Sequence, residues 1–143
     1  MGSKSNTFET DLLDLIFNAT AIANIADNAA SAPLTNLYVS LHTAALDDTS
    51  VQNTSECAYT SYARVAVART SGGWTVSGNS VVPAATISFP AATGGTETAS
   101  YWAVGVASSG ATKILYWGAI SPTISISSGV TPQLTTASTI TED

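Results

Sequence analysis

From Asn6 onward, Phe8, Leu12, Leu13, Leu15, Ile16 and Ala19 recur at intervals of three and four, which predicts an amphipathic helix. Asn6 followed by Glu9 reads as a capping pair at its start. Glu9, Asp11 and Asp14 occupy the first turns, where the positive end of the helix dipole favours carboxylates. Past Thr20 the text becomes rich in Ala and Asn, and Pro33 closes any helical continuation. The period then drops to two. In "LYVSLHTAA" (37–45) Leu37, Val39 and Leu41 alternate with Tyr38, Ser40 and His42, the pattern of a half-buried strand with His42 on its outward face.

"YARVAVA" (62–68) repeats the alternation, with Val65 and Val67 on one face and Arg64 on the other. "GGWTVSGNSVV" predicts two strands joined by a Ser-Gly-Asn turn. Further strands are expected in "ATISFP", "ASYWAVGVA", "KILYWGAI", "TISIS" and "PQLTTASTIT", with Gly or Pro in nearly every gap. Short strands without interleaved helices predict a mainly β fold, an antiparallel β-sandwich or jelly-roll-like domain over 34–143, preceded by an N-terminal α-helix or arm over 1–33. The polar, unpatterned stretch "AALDDTSVQNTSECAYT" (44–60) is expected to be an extended surface loop.

Composition narrows the partners. The 143 residues suit one domain with one core. Charged residues make up only 10% of the chain against 45% hydrophobic, so polarity rests on Ser, Thr, Asn and Gly. Ten acids against four Lys and Arg give a net charge of −6, the wrong sign for phosphate backbones or anionic bilayers, so neither nucleic acid nor membrane is an expected partner. No apolar run is long enough to span a membrane, and the opening "MGSKSNTFETDLLDLIF" carries acids where a secretory signal needs an apolar core. Without an export signal, the triplets at Asn18 and Asn53 are not expected to be glycosylated. A lone Cys57 excludes an internal disulfide and a cysteine-based zinc site, and no cofactor motif is present.

The candidate chemistry is sparse. Ser40 and the only histidine, His42, share a strand face about 6.5–7 Å apart along the chain, beyond hydrogen-bond reach, and no G-x-S-x-G turn accompanies them. Asp47, Asp48 and Glu56 are the candidate acids of a hydrolytic pair, but the sequence nearby offers no aromatic pocket to raise one pKa. "DDTSVQNTSE" offers many oxygens without the glycine and ligand register of a calcium loop. Arg64 and Arg69, in an acidic chain, are each expected to pair with a carboxylate. In "SYWAVG" and "LYWG" adjacent aromatics must point to opposite faces, so one set is expected to pack against another layer or subunit, or to stack on sugars.

The succession "LYVSLHTA", "YTSYARVAV", "ISFPAAT", "SYWAVGVASSGATKILYWGAI" and "SSGVTPQLTTASTIT" resembles a family of small virion proteins of tailed bacteriophages, labelled tail-fibre proteins or serving as capsid decoration. The resemblance covers nearly the whole chain and rests on structural motifs, so it implies no catalytic residue. It implies a non-enzymatic virion component, assembled in the host cytoplasm, whose partners are itself, as a homo-oligomer, and the major capsid protein or tail proteins. A polar surface with few charges suits dense packing on an array, because charged side chains would be costly to desolvate there. Capsid decoration is therefore the leading expectation. A tail-associated adhesin binding a host glycan is the main alternative, and a small hydrolase using the loop acids is the third. Tyr38, His42, Tyr101, Trp102, Tyr116, Trp117 and Arg64 are the expected interface residues.

Overall fold

The computed structural model describes residues 4–22, 25–29 and 32–142. It contains one helix, α1 (Asn6–Asn18), and the strands β1 (Asn36–His42), β2 (Val65–Ala68), β3 (Trp74–Ser77), β4 (Ser80–Pro83), β5 (Ile87–Ser88), β6 (Glu97–Gly105), β7 (Ile114–Ile126), β8 (Gln133–Leu134) and β9 (Ile140–Thr141). The fold is mainly β, with antiparallel pairing and an N-terminal helix, as the periodicities require. The two strands expected in "KILYWGAI" and "TISIS" form one long strand, β7, whose pairing with β6 shifts register at two places, between Ala99 and Tyr101 and between Val104 and Gly105.

The chain divides into two compact units, each assembled from separated segments. One comprises Met1–Asn36, Val67–Thr86 and Leu134–Asp143, the other Leu37–Ala66 and Ile87–Gln133.

In the first unit α1 packs on β3 and β4, and the sheet order is β3-β4-β9. The β3–β4 hairpin turns at Gly78, whose φ of 60° lies where a side chain is disfavoured, and Ser77 faces Ser80 across it. Leu13 and Phe17, one helical turn apart, are fully buried with Trp74, and the Phe17 and Trp74 rings meet edge to face at 4.7 Å. The helix starts one residue earlier than the Asn6–Glu9 pattern suggests: the Ser5 hydroxyl accepts from the Phe8 backbone N–H, while Glu9 is buried. At its other end Ala19, in the left-handed conformation, caps the helix through its N–H to the Asp14 carbonyl, and Arg69 serves further carbonyls there. Its guanidinium donates to the carbonyls of Leu15, Ile16 and Leu34, each at 2.7 Å, and to Asn28 Oδ1 at 3.1 Å. The carboxylate expected for Arg69 is thus replaced by helix-end carbonyls that lack intrahelical donors and carry the negative end of the dipole.

In the second unit β1, β6 and β7 lie side by side, and β7 ends the four-stranded order β2-β1-β6-β7. Opposed residues share a sheet face. Val39, Val104 and Tyr116 form one row and Leu41, Trp102 and Gly118 the next, giving an apolar face in which Val39, Leu41, Trp102 and Val104 are buried. On the opposite face Ser40, Ala103 and Trp117 form a row, as do His42, Tyr101 and Ala119. The stretch 44–60, expected to be a surface loop, instead places Leu46, Gln52, Cys57 and Tyr59 in the interior. Backbone hydrogen bonds from Thr43 to Ser55 and from Cys57 to Leu41 fold it back beside β1.

Candidate functional site

Four polar side chains in the second unit set its interior chemistry. The first is His42, which the alternation of β1 placed on an outward edge. It is fully buried, because the 43–57 segment folds over that face. Its Nδ1 lies 2.8 Å from the Thr54 carbonyl oxygen, which can only accept, so Nδ1 carries the proton. Nε2 then accepts from the Ser40 hydroxyl at 2.9 Å. The separation of Ser40 and His42 along the strand is therefore no barrier to a hydrogen bond: both side chains rise from the same face, and the imidazole spans the gap between their Cα atoms. The pair is sealed, and it ties the Thr54 segment to the sheet.

Desolvation by burial holds the His42 pKa below its ordinary 6.5, and the Arg64 charge acts in the same direction, while the Thr54 hydrogen bond and Glu56 oppose them. The folded state thus binds fewer protons at this site than the unfolded chain does. Its contribution to stability is complete above pH 6.5 and declines as pH falls below that value. Thermal melts between pH 7.5 and 5.5 are expected to show a falling Tm in the wild type and a flat profile in His42→Gln, although that variant starts lower; equal slopes would contradict this account of His42.

Gln52 is the second group. Its Nε2 donates to the Tyr38 carbonyl at 3.0 Å, and its Oε1 accepts from the Val106 and Ala107 N–H groups and the Thr112 hydroxyl at 3.1, 3.3 and 2.7 Å. The side chain lies against Gly105, where a Cβ would fall on the Gln52 carboxamide. The third is Glu56, held bidentately by Arg64 through Nε at 2.7 Å and Nη2 at 2.8 Å. The guanidinium also donates to the carbonyls of Ala107 and Gly110 and to Thr112 Oγ1. Tyr62 donates to Glu56 at 2.9 Å and accepts from the Leu41 N–H, and burial raises its pKa. The fourth is Glu97, whose carboxylate receives the N–H groups of Ala58 and Tyr59 at 2.9–3.0 Å. Beside it the Cys57 thiol is pushed up to about 12, first by burial and then by the Glu97 charge, which leaves it a protonated, unreactive core residue.

The residues singled out from sequence are distributed as follows. His42, Arg64 and Trp102 are buried, Tyr38, Tyr101 and Tyr116 are half-buried, and Trp117 is 40% exposed. The loop acids do not converge. Asp47 caps its own turn, accepting from Thr49 and Ser50, and these hydrogen bonds hold its pKa below the usual value; Asp48 is exposed, and Glu56 is engaged by Arg64. Among the described residues no group of His, Cys, Asp and Glu side chains is arranged to hold a metal ion, and no helix is long and apolar enough to cross a membrane. Gln52, Tyr62 and Glu97 carry no motif that announces them. Their only sequence signal is an unexplained polar residue within or next to a loop too long to be left unpacked.

Such a fold and interior define a class: a small antiparallel β protein whose polar side chains brace loops against a sheet. Residues 3–141 match the family model described as Podophage GP4 fiber I protein gp80, and the chain belongs to that family. It is accordingly a structural protein of a tailed-phage virion, in a family labelled by the fibre, a kind that is typically non-enzymatic. No curated protein matches it.

Proposed function

We propose that the protein is a non-enzymatic virion subunit that assembles with copies of itself and decorates the head surface. The supporting observation is the use the fold makes of its four cations. Arg64 is buried in an ion pair, Arg69 is bound to carbonyls, Lys4 pairs with Glu142 at 3.0 Å, and Lys113 is exposed. What faces outward is mainly uncharged Ser, Thr, Ala and Gly, a surface that close neighbours can cover at low desolvation cost. Ordered loops braced from within suit a subunit that presents fixed contours to those neighbours.

A second reading, a fibre component that engages a host glycan, draws on the description of the family and on the exposed Trp117 ring. Labelling intact particles with antibody, together with the copy number per virion from quantitative mass spectrometry, separates the two. Decoration requires label over the head and hundreds of copies; label confined to the tail with a handful of copies would overturn it. Adding the protein to capsids stripped of it is expected to give stoichiometric binding and a higher melting temperature of the shell.

A further inference from the structure

We propose that the Thr112 hydroxyl condenses with the Gln52 carboxamide, releasing ammonia and leaving an ester cross-link inside the second unit. The reaction is independent of where the subunit sits on the virion; it concerns how the folded chain is locked.

The two side chains belong to positions sixty residues apart, yet Thr112 Oγ1 lies 2.7 Å from Gln52 Oε1. A hydroxyl oxygen that close to a carbonyl oxygen is about 3–4 Å from the carbonyl carbon, which overlaps the range of a near-attack pair. The partners of the carboxamide fix its orientation. The Val106 and Ala107 N–H groups can only donate, so they hold the oxygen, and the Tyr38 carbonyl can only accept, so it holds Nε2. A second link between the same two residues, from the Gln52 backbone N–H to the Thr112 carbonyl at 2.8 Å, keeps them in register. Gly105 completes the setting, since a Cβ there would fall on the carboxamide carbon.

The surroundings favour acyl transfer over a hydrogen bond alone. Attack by Oγ1 turns Oε1 into an oxyanion, and two consecutive backbone N–H groups, at 3.1 and 3.3 Å, already point at that oxygen. Arg64 Nη1 donates to Oγ1 at 3.3 Å, so a cation stands beside the charge that grows as the hydroxyl gives up its proton. Among the described residues no carboxylate or imidazole contacts Oγ1, and the proton passes to Nε2 itself. The Oγ1–Cδ bond forms, the Cδ–Nε2 bond breaks, and the nitrogen leaves with the bonding pair as ammonia; no other reactant enters. Without a separate base the step is slow, a single maturation event rather than turnover. Gln52 is fully buried, which keeps water from competing for its carbonyl carbon. The product ties the 43–57 segment to the residues before β7, and a bond between such distant positions restricts the unfolded chain.

Intact-mass spectrometry of the denatured full chain, after prolonged incubation at neutral pH, is expected to read about 17 Da below the mass of its sequence, one ammonia. Trypsin cuts after Lys4, Arg64, Arg69 and Lys113, which puts Gln52 in the peptide 5–64 and Thr112 in the peptide 70–113. These two peptides are expected to travel as one, and alkaline hydroxylamine, which cleaves esters, is expected to part them. Thr112→Ser should keep the deficit and Thr112→Val should lose it. A wild type at its full sequence mass overturns the proposal whether or not either variant folds. So does a deficit that persists in T112V, which would mark ring closure at an asparagine instead, or one that leaves the two tryptic peptides separate.

Discussion

Arg64→Met is expected to lower the free energy of unfolding by about 3–5 kcal/mol, the range for removing one partner of a buried ion pair. The Arg64 side chain is 2% exposed, and its guanidinium donates to Glu56, Ala107, Gly110 and Thr112 at once. Its loss leaves the Glu56 carboxylate with the Tyr62 hydroxyl as its hydrogen-bond partner and frees two carbonyls of the 106–112 turn. A thioether fills much of the volume, so the effect reads charge and hydrogen bonding more than a cavity. Urea denaturation measures it, and the double variant Glu56→Gln/Arg64→Met is decisive. Neutralising the stranded acid should recover a substantial part of the loss. A double variant as unstable as the sum of its singles would mean that Arg64 acts through packing alone.

The second large effect is expected at Gly105. An alanine there places a methyl carbon on the Gln52 carboxamide. The far end of a glutamine would ordinarily swing aside, but this one is fixed by four hydrogen bonds to Tyr38, Val106, Ala107 and Thr112. Relief of the clash therefore strands buried polar groups, and Gly105→Ala should cost about 2–4 kcal/mol by combining overpacking with unmade hydrogen bonds. Gln52→Ala removes the obstacle. In that background the Gly105→Ala change is expected to cost under about 1 kcal/mol, a strong non-additivity of the kind seen between touching residues. Additive losses would show that the strain at Gly105 lies in the backbone instead.

The longer strands were legible because they have a periodic signature: the 37–42 alternation, the Ser-Gly-Asn turn and the aromatic pairs fall where the sheet puts them, whereas "PQLTTASTIT", expected as one strand, is split into the two-residue β8 and β9 of different sheets, too short to show a period. The helix was legible for the same reason, displaced by one residue at its cap. What the sequence concealed was the fate of its polar residues. Period alone makes His42 outward-facing, and it would be so on an uncovered sheet. The 43–57 segment covers it, and a covering loop leaves no periodic trace. Gln52 and Glu97 act through contacts more than thirty residues away, such as Gln52 with Ala107 and Glu97 with Ala58, which no local window contains. Arg69 was readable as a cation in need of a partner, but a row of helix-end carbonyls satisfies that need as well as a carboxylate does.

The chain changes unit at 36/37, 66/67, 86/87 and 133/134. A fragment that holds every segment of one unit must also carry part of the other: 37–133 spans the second unit and takes in 67–86 of the first, while the segments of the first enclose the second. Separating the two would therefore take splicing as well as truncation, which distinguishes them from modules strung in series along a chain.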